Sequence, residues 1–591
     1  MIVIVIAGAL TAGHASAGGL EYAGQGARAL GRGGAMAARA DDPMVLAHNP
    51  AGLAELRGTQ LLLDMNLALM DACVDPAGYY GYGAYAGGSP SRLPDPETGE
   101  TVELPLGPDT SNPAMTQPAV AAAKAYYYDP YDTVCLDQQI VPVPQLAWAM
   151  RVTEDLGIGF GFIFPAVTPG GSWGSDYGVI RNERGELRPA ATRYMLLKSS
   201  NLGIFPTLGA GYRLLKELRV GLAVEWGVFA INNYTMAPAG GGTSPHNDVR
   251  AHTKAQDWLV PAATASIHVV PDDAIDIVLA FRWQDGIDAA GTQDLETGVF
   301  DPNFDPYTTT GIEVKSLRIE LPWKLRAGIR YADRLAPRVS GTGADETDYA
   351  VGDVIHDPLQ DERFDIELDV EYQMNSRFKE QVIEYGQGGR INFRAAGSDT
   401  LSFTPYPVPE VPRTVIQKQW QDQVSVRLGG AYNILPGMLG LSAGAHYETR
   451  GVDPSYMQID FFPLQRIGLH GGVIVRVMNA IDLVLSYAHI FQEELVVALP
   501  SHMERSAIDD ARIMGDGTVY NVSKRVDAPT DRGGLNGTVV LEEPSQGASD
   551  GTAKVNQILS RTGPDQPPWI INAGRYRSSI DVLAVGINVH F

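Results

Sequence analysis

With 591 residues, 19% of them charged, and a formal net charge of -24, the chain has room for two to four soluble domains or for one large barrel with long loops. The acidic balance excludes nucleic acid as a partner, because phosphate binding requires a basic face; an apolar ligand stays open. The 65 Gly, 39 Pro and 25 Tyr suit strands, turns and aromatic belts better than helices.

The chain opens MIVIVIAGALTAGHASA. Residues 2–10 form an apolar core and Ala15-Ser16-Ala17 a small-residue cleavage pattern, so 1–17 reads as a signal peptide and the mature chain begins at Gly18. No Lys or Arg precedes the apolar run, a departure from the usual pattern. No later stretch reaches the roughly 18 consecutive apolar residues of a membrane-crossing helix. A transmembrane barrel would not show one, since its strands need only about 9 to 11 residues that alternate apolar-out with polar-in.

Residues 18–58 are dominated by small side chains without a clean period and end in the turn signal Asn49-Pro50-Ala51-Gly52. Within them stand Glu21, Gly31-Arg32-Gly33-Gly34, an Ala-rich run, Ala40-Asp41-Asp42 and Asn49-Pro50-Ala51. In order and spacing this pattern resembles the N-terminal hatch of the FadL-like family, outer-membrane proteins that move long-chain fatty acids and other hydrophobic compounds. The resemblance implies that 18–58 is a plug inside a barrel, with Asn49, Pro50 and Ala51 as its motif, and that 59–591 form a 14-stranded wall. It also implies passive transport of hydrophobic small molecules, with long-chain fatty acids or related lipids and hydrocarbons as cargo. Outer-membrane lipid, lipopolysaccharide and the barrel-assembly machinery would be partners of a monomer in the Gram-negative outer membrane. Gly31-Arg32-Gly33-Gly34 is not a phosphate loop, because the Gly-Lys-Ser/Thr that such a loop requires is missing; no cofactor is implied.

Strand-like alternation starts directly after the turn. In 59–70, Leu61, Leu63, Met65, Leu67 and Leu69 share one face, and Gln60, Asp64 and Asn66 the other. A lone charge facing a lumen is cheap, whereas facing lipid it is expensive. Residues 71–144 are irregular and hold both cysteines, Cys73 and Cys135; in an exported protein one disulfide between them would staple this loop. Further strands are expected at 145–153, 156–164, 201–215, 218–231, 257–270, 274–285 and 323–332. In 156–164, Gly157, Gly159 and Gly161 lie opposite an apolar face. Inward glycines leave space beside the plug or a ligand, or mark a kink; the family resembled is thought to release ligand sideways at an early inward kink. Residues 312–321 alternate partly and read as an extension of the following strand, interrupted by Pro322.

The cleanest pattern is 363–374, with Phe364, Ile366, Leu368, Val370, Tyr372 and Met374 on one face and Asp365, Glu367, Asp369, Glu371 and Gln373 on the other. This row of acids reads as a charged lumen wall facing the arginines of its neighbour, in preference to a glycosidase carboxylate pair. Strands 422–433, 438–448, 465–477, 480–491 and 577–591 complete the series. The last ends on Phe591, a terminal aromatic that resembles the assembly signal of outer-membrane barrels. Fourteen walls is an even number, as closure with both ends on one side requires. Short connections near 154, 216, 271, 434 and 478 fall on the periplasmic side and long ones outside, apart from the acidic connector 333–360.

An enzyme on a barrel, such as a surface hydrolase, would need a nucleophile, base and orienting group together. No His-Glu-x-x-His occurs, and His446, His470 and His489 read as hydrogen-bonded wall residues. No catalytic, metal or cofactor-binding residue is assigned. A structural or adhesive barrel would be favoured by a lumen blocked with charge.

Overall fold

Alternation of apolar and polar side chains along a strand puts the two kinds on opposite faces, and here the sheet built from such strands closes on itself. In this computed structural model the described residues are 24–76, 92–103, 131–137, 140–165, 171–238, 248–297, 299–300, 307–335, 357–386, 414–478, 480–497, 523–527, 538–542, 572 and 574–591. The signal-peptide segment, the start of the plug, the tyrosines at 79–82 and 126–128 and the glycines at 240–242 lie outside them.

The wall consists of β1 (Thr59–Pro76), β2 (Val141–Arg151), β3 (Leu156–Ile163), β4 (Leu202–Leu215), β5 (Leu218–Pro238), β6 (Asp248–Asp272), β7 (Ile275–Gln284), β8 (Lys324–Arg334), β9 (Glu362–Gln373), β10 (Gln423–Leu435), β11 (Leu439–Glu448), β12 (Arg466–Val477), β13 (Ile481–Gln492) and β14 (Gly574–His590). Each pairs antiparallel with its neighbour in chain order, and β1 lies between β2 and β14: Leu63 stands opposite Leu146 on one side and Ile587 on the other. The fourteen expected strands and their even count are thus all present, and the closed ladder leaves no free edge.

The two faces are inverted relative to a soluble protein. On β9, Ile366, Leu368 and Val370 are 40–52% exposed, while Asp365, Glu367, Asp369 and Glu371 are at most 2% exposed. On β1, Leu61, Leu63 and Met65 face out and Gln60, Asp64 and Asn66 are buried inside. Such an exterior is matched to hydrocarbon, where a backbone must satisfy all its polar groups within the protein. Exposed Trp226, Trp258 and Trp283 mark one edge of the apolar band.

Several wall strands run further than alternation indicated. Residues 232–238 and 248–256, beyond the strands expected at 218–231 and 257–270, form long continuations of β5 and β6 that pair from Phe229 opposite Asp257 up to Pro238 opposite Asp248. Residues 287–297 bond to the outer half of β6, then to 307–319, which bonds to 380–385, which bonds to 414–417. These four segments repeat the order of β7, β8, β9 and β10, so each wall strand is continued beyond a break. The reading of 312–321 as an extension of the next strand holds in that form. These continuations carry polar residues on both faces, as in Thr292, Gln293 and Asp294.

At the opposite end the turns are short, except the connector between β8 and β9. Its described end forms α3 (Pro358–Asp361), with Leu359 buried, the Pro358 carbonyl accepting from Asn433 Nδ2 and the Leu359 carbonyl from Gly437 N.

Candidate functional site: a plugged and charged lumen

The N-terminal elements fill the lumen. They are α1 (Ala27–Gly31), α2 (Val45–His48) and a 3-10 turn (Pro50–Glu55). Few apolar side chains are available in this small-residue segment, so polar contacts hold much of it. Wall carboxylates accept hydrogen bonds from plug backbone N–H groups: Asp64 from Ala27 (2.7 Å), Glu367 from Ala38 (2.6 Å), Asp369 from Met36 and Ala37 (3.1 Å each). Arg32 donates two parallel bonds to Asp365 at 2.9 and 2.6 Å and a third to Glu367 at 3.2 Å. Arg39 adds another to Asp365 at 2.8 Å. Such bidentate, charge-assisted contacts are the strong class.

Gly33 explains why glycine flanks that arginine. It has φ +69°, and a Cβ there would meet the Ala445 backbone N at 2.8 Å; only glycine tolerates both. The expected row of lumen acids is therefore correct. Its partners are the neighbouring wall arginines, Arg326 to Glu371 and Arg330 to Asp365 (2.8 Å), and also the plug, a partner hundreds of residues away in sequence.

The Asn49-Pro50-Ala51 motif docks against β4 to β6. Asn49 Nδ2 donates to the Ala37 carbonyl (3.0 Å) and lies 3.4 Å from His268 Nδ1, whose other nitrogen bonds Asp276 (3.0 Å). Pro50 starts the 3-10 turn, and Ala51 N donates to Ser266 Oγ (2.8 Å). A side chain on Gly221 would overlap this backbone. On β3, Cβ atoms at Gly157 and Gly159 would run into Leu53. Both ladders of β3 are continuous, with no bulge. Of the two readings of those glycines, space beside the plug is the one realised.

Outward of the plug lies a cavity of about 50 Å³, room for a few waters or a small polar group. The plug contributes Gln25 and His48 to it; the wall contributes Arg282, Lys324, Arg326 and Arg427, against only Glu371 and Glu448. Arg326 donates to His48 Nδ1 (3.1 Å), and His48 Nε2 donates to the Gln25 carbonyl (3.1 Å). Burial, with Arg326 adding to it, lowers the His48 pKa to about 3, so this plug histidine is neutral at pH 7. No signal in the sequence groups these four cations, because they lie on three different strands and meet only through register.

The outer end is capped by packed aromatics: Trp173 stacks on Phe462 (5.6 Å between ring centres) and Phe378 packs edge-on against Trp420 (4.9 Å). Cys73 and Cys135 are bridged there, as their placement in one exported loop suggested. Arg193 bonds Asp248 (2.7 Å), which also accepts from the Tyr194 hydroxyl (2.7 Å). Burial pushes Asp248 up to about 6, with Arg193 opposing it. His446 and His470 face the lumen with Nδ1 to Nε2 at 2.7 Å. His489 instead lies on the outer face, bonded to Asp581 (2.7 Å). Among the described residues no cluster of three or more His, Cys, Asp or Glu could hold a metal.

No protein-family model matches the chain, and no curated protein matches it in sequence. Among solved structures, it is similar to a Pseudomonas aeruginosa FadL homologue, with a TM-score of 0.56 at 12% identity over 97% of this chain and 100% of that one. It is also similar to the Pseudomonas putida toluene transporter TodX, with a TM-score of 0.51 at 11% identity over 97% and 99%. At such identities the likeness is one of architecture, and the chain shares with these proteins the fold of a 14-stranded antiparallel barrel with N-terminal elements in its lumen.

Proposed function

We propose that this chain is a passive outer-membrane channel for hydrophobic small molecules, and that its cargo carries an acidic head, as a long-chain fatty acid does. The observation that carries the reading is the cavity against the plug, where four cationic side chains face two carboxylates inside a barrel whose outside is apolar. A carboxylate head would take charge-assisted bonds from Arg326 and Arg427. The acyl chain would extend toward the aromatic cap, recovering roughly 0.8 kcal/mol per buried CH₂. The shared fold with channels described as transporters supports the class, and the closed ring within one chain supports a monomer surrounded by lipid and lipopolysaccharide. Asn49, Pro50 and Ala51 serve, on this reading, to seat the plug. No catalytic role and no cofactor enter it.

A structural or adhesive barrel is the second reading, and the density of ion pairs around the plug favours it. Uptake of labelled oleate and toluene by cells with and without the protein separates the two. The channel reading predicts saturable oleate uptake that falls about tenfold in Arg326→Ala/Arg427→Ala, with toluene less affected. Unchanged uptake of every apolar compound on adding the protein would leave the structural reading standing.

A further inference from the structure

Of the acids at 365, 367, 369 and 371 on the lumen face of β9, three hold the plug. Asp365 takes Arg32 and Arg39, Glu367 takes Ala38 N and Arg32, and Asp369 takes Met36 N and Ala37 N. Glu371 is buried too, but every bond it makes among the described residues goes to the wall. Its Oε2 accepts from Arg326 Nε (2.7 Å) and, by a shorter contact, from Arg326 Nη2. Its Oε1 accepts from Arg427 Nη2 and Gln373 Nε2, each at 2.8 Å. Seating the plug therefore does not account for this acid.

Four N–H donors on two oxygens fill the acceptor sites of a carboxylate. A site built to bind a carboxylate would hold it in the same way, and Glu371 forms part of the wall of the cavity beside the plug. Neither arginine depends on Glu371 alone. Arg326 also donates to His48 Nδ1 (3.1 Å), and Arg427 donates to Ser425 Oγ (3.1 Å) with Glu448 3.8 Å away.

We propose that Glu371 is a built-in stand-in for the carboxylate of the cargo, which exchanges with it on Arg326 and Arg427, so that Glu371 sets how tightly the head group is held. This rests on the acidic-cargo reading above. Buried cations with no acid are costly, so an arginine pair alone would be slow to give up an anion once filled. With Glu371 present, the cations are compensated before the cargo arrives and again after it leaves. An entering carboxylate gains only the difference between its own bonds and those it displaces. Glu371 then keeps the charge of Lys324, which acts on it already and lines the same cavity.

The test is binding of oleate and of oleyl alcohol, an uncharged molecule of the same chain length, to the purified full chain in detergent, read beside oleate uptake by cells. Glu371→Gln keeps the size of the side chain and removes its charge. Oleate affinity is expected to rise about tenfold or more, the size of a charge-assisted bond no longer given up to a competitor, with oleyl alcohol unchanged. Such gains appear mostly as slower release, so uptake should show a lower KM together with a lower maximal rate. Oleate affinity unchanged or reduced in Glu371→Gln, or a rise shared equally by oleyl alcohol, would overturn the stand-in. If Glu371→Gln loses the heat-shifted band of a folded barrel, Gln373→Met decides. It removes one donor from Glu371, leaves every charge in place and should raise oleate affinity about threefold; no rise would overturn the stand-in. Tighter oleate binding by Glu371→Gln without oleate uptake through any form would sink the transport reading and leave the stand-in intact. Saturable uptake through the wild type with unchanged affinity in Glu371→Gln would do the reverse.

Discussion

Arg32 shows what single residues contribute here. Its guanidinium joins the plug to two carboxylates of β9, both fully or almost fully buried. Removing one partner of a buried pair leaves the other charged and unsolvated, at a cost of about 3–5 kcal/mol. Arg32→Ala is therefore expected to speed amide exchange at Met36, Ala37 and Ala38 while the wall strands stay protected. Gly33→Ala should loosen the same amides, since it adds a Cβ at a positive φ and against a neighbouring backbone. At Asp248 the pKa is raised to about 6 by burial, so the folded cap binds this proton more tightly than the unfolded chain. The resulting stabilisation is fully present below the ordinary carboxylate value near 3.9 and is lost as pH rises through about 6. Exchange at 193–197 and 248–250, corrected for intrinsic rates, should be slower at pH 5 than at pH 7.5, and Asp248→Asn should remove the difference. The acids of β9 are legible from alternation alone. Their union with Arg32 is not, because a contact spanning 333 residues leaves no periodic trace.

At the scale of elements, the fourteen wall strands are legible because lipid on one side and the lumen on the other impose a strict period of two. The continuations beyond the breaks escape that reading because they carry no apolar face: segments such as 287–297 mix Ala, Gly, Thr, Gln and Asp freely. The plug helices escape it too, being four or five residues long, too short for a helical period. The disulfide ties β1 to the strand at 134–137 across a sequence separation of 62. A loop of that length corresponds to about 4 kcal/mol of unfolded-chain entropy. Cys73→Ser is expected to loosen 134–137 and its pairing with Trp173, seen as faster exchange there. β9 and β14 should stay protected, because their ladders do not depend on the cap.

The whole molecule is an inverted protein: aliphatic side chains outside, ion pairs inside, and a backbone with no free edge. Charge on the inner face meets partners, as Arg330 meets Asp276 and Asp365, while the same charge on the outer face would meet only hydrocarbon. The placement of Leu368, outward and 40% exposed in mid-strand, makes it the most direct probe. Purified chain and Leu368→Arg should be folded into lipid vesicles and titrated with urea. Folding is expected to require the lipid, and Leu368→Arg to lower stability by about 2–4 kcal/mol. A chain that folds to the same state in water, with Leu368→Arg as stable as the parent, would contradict it.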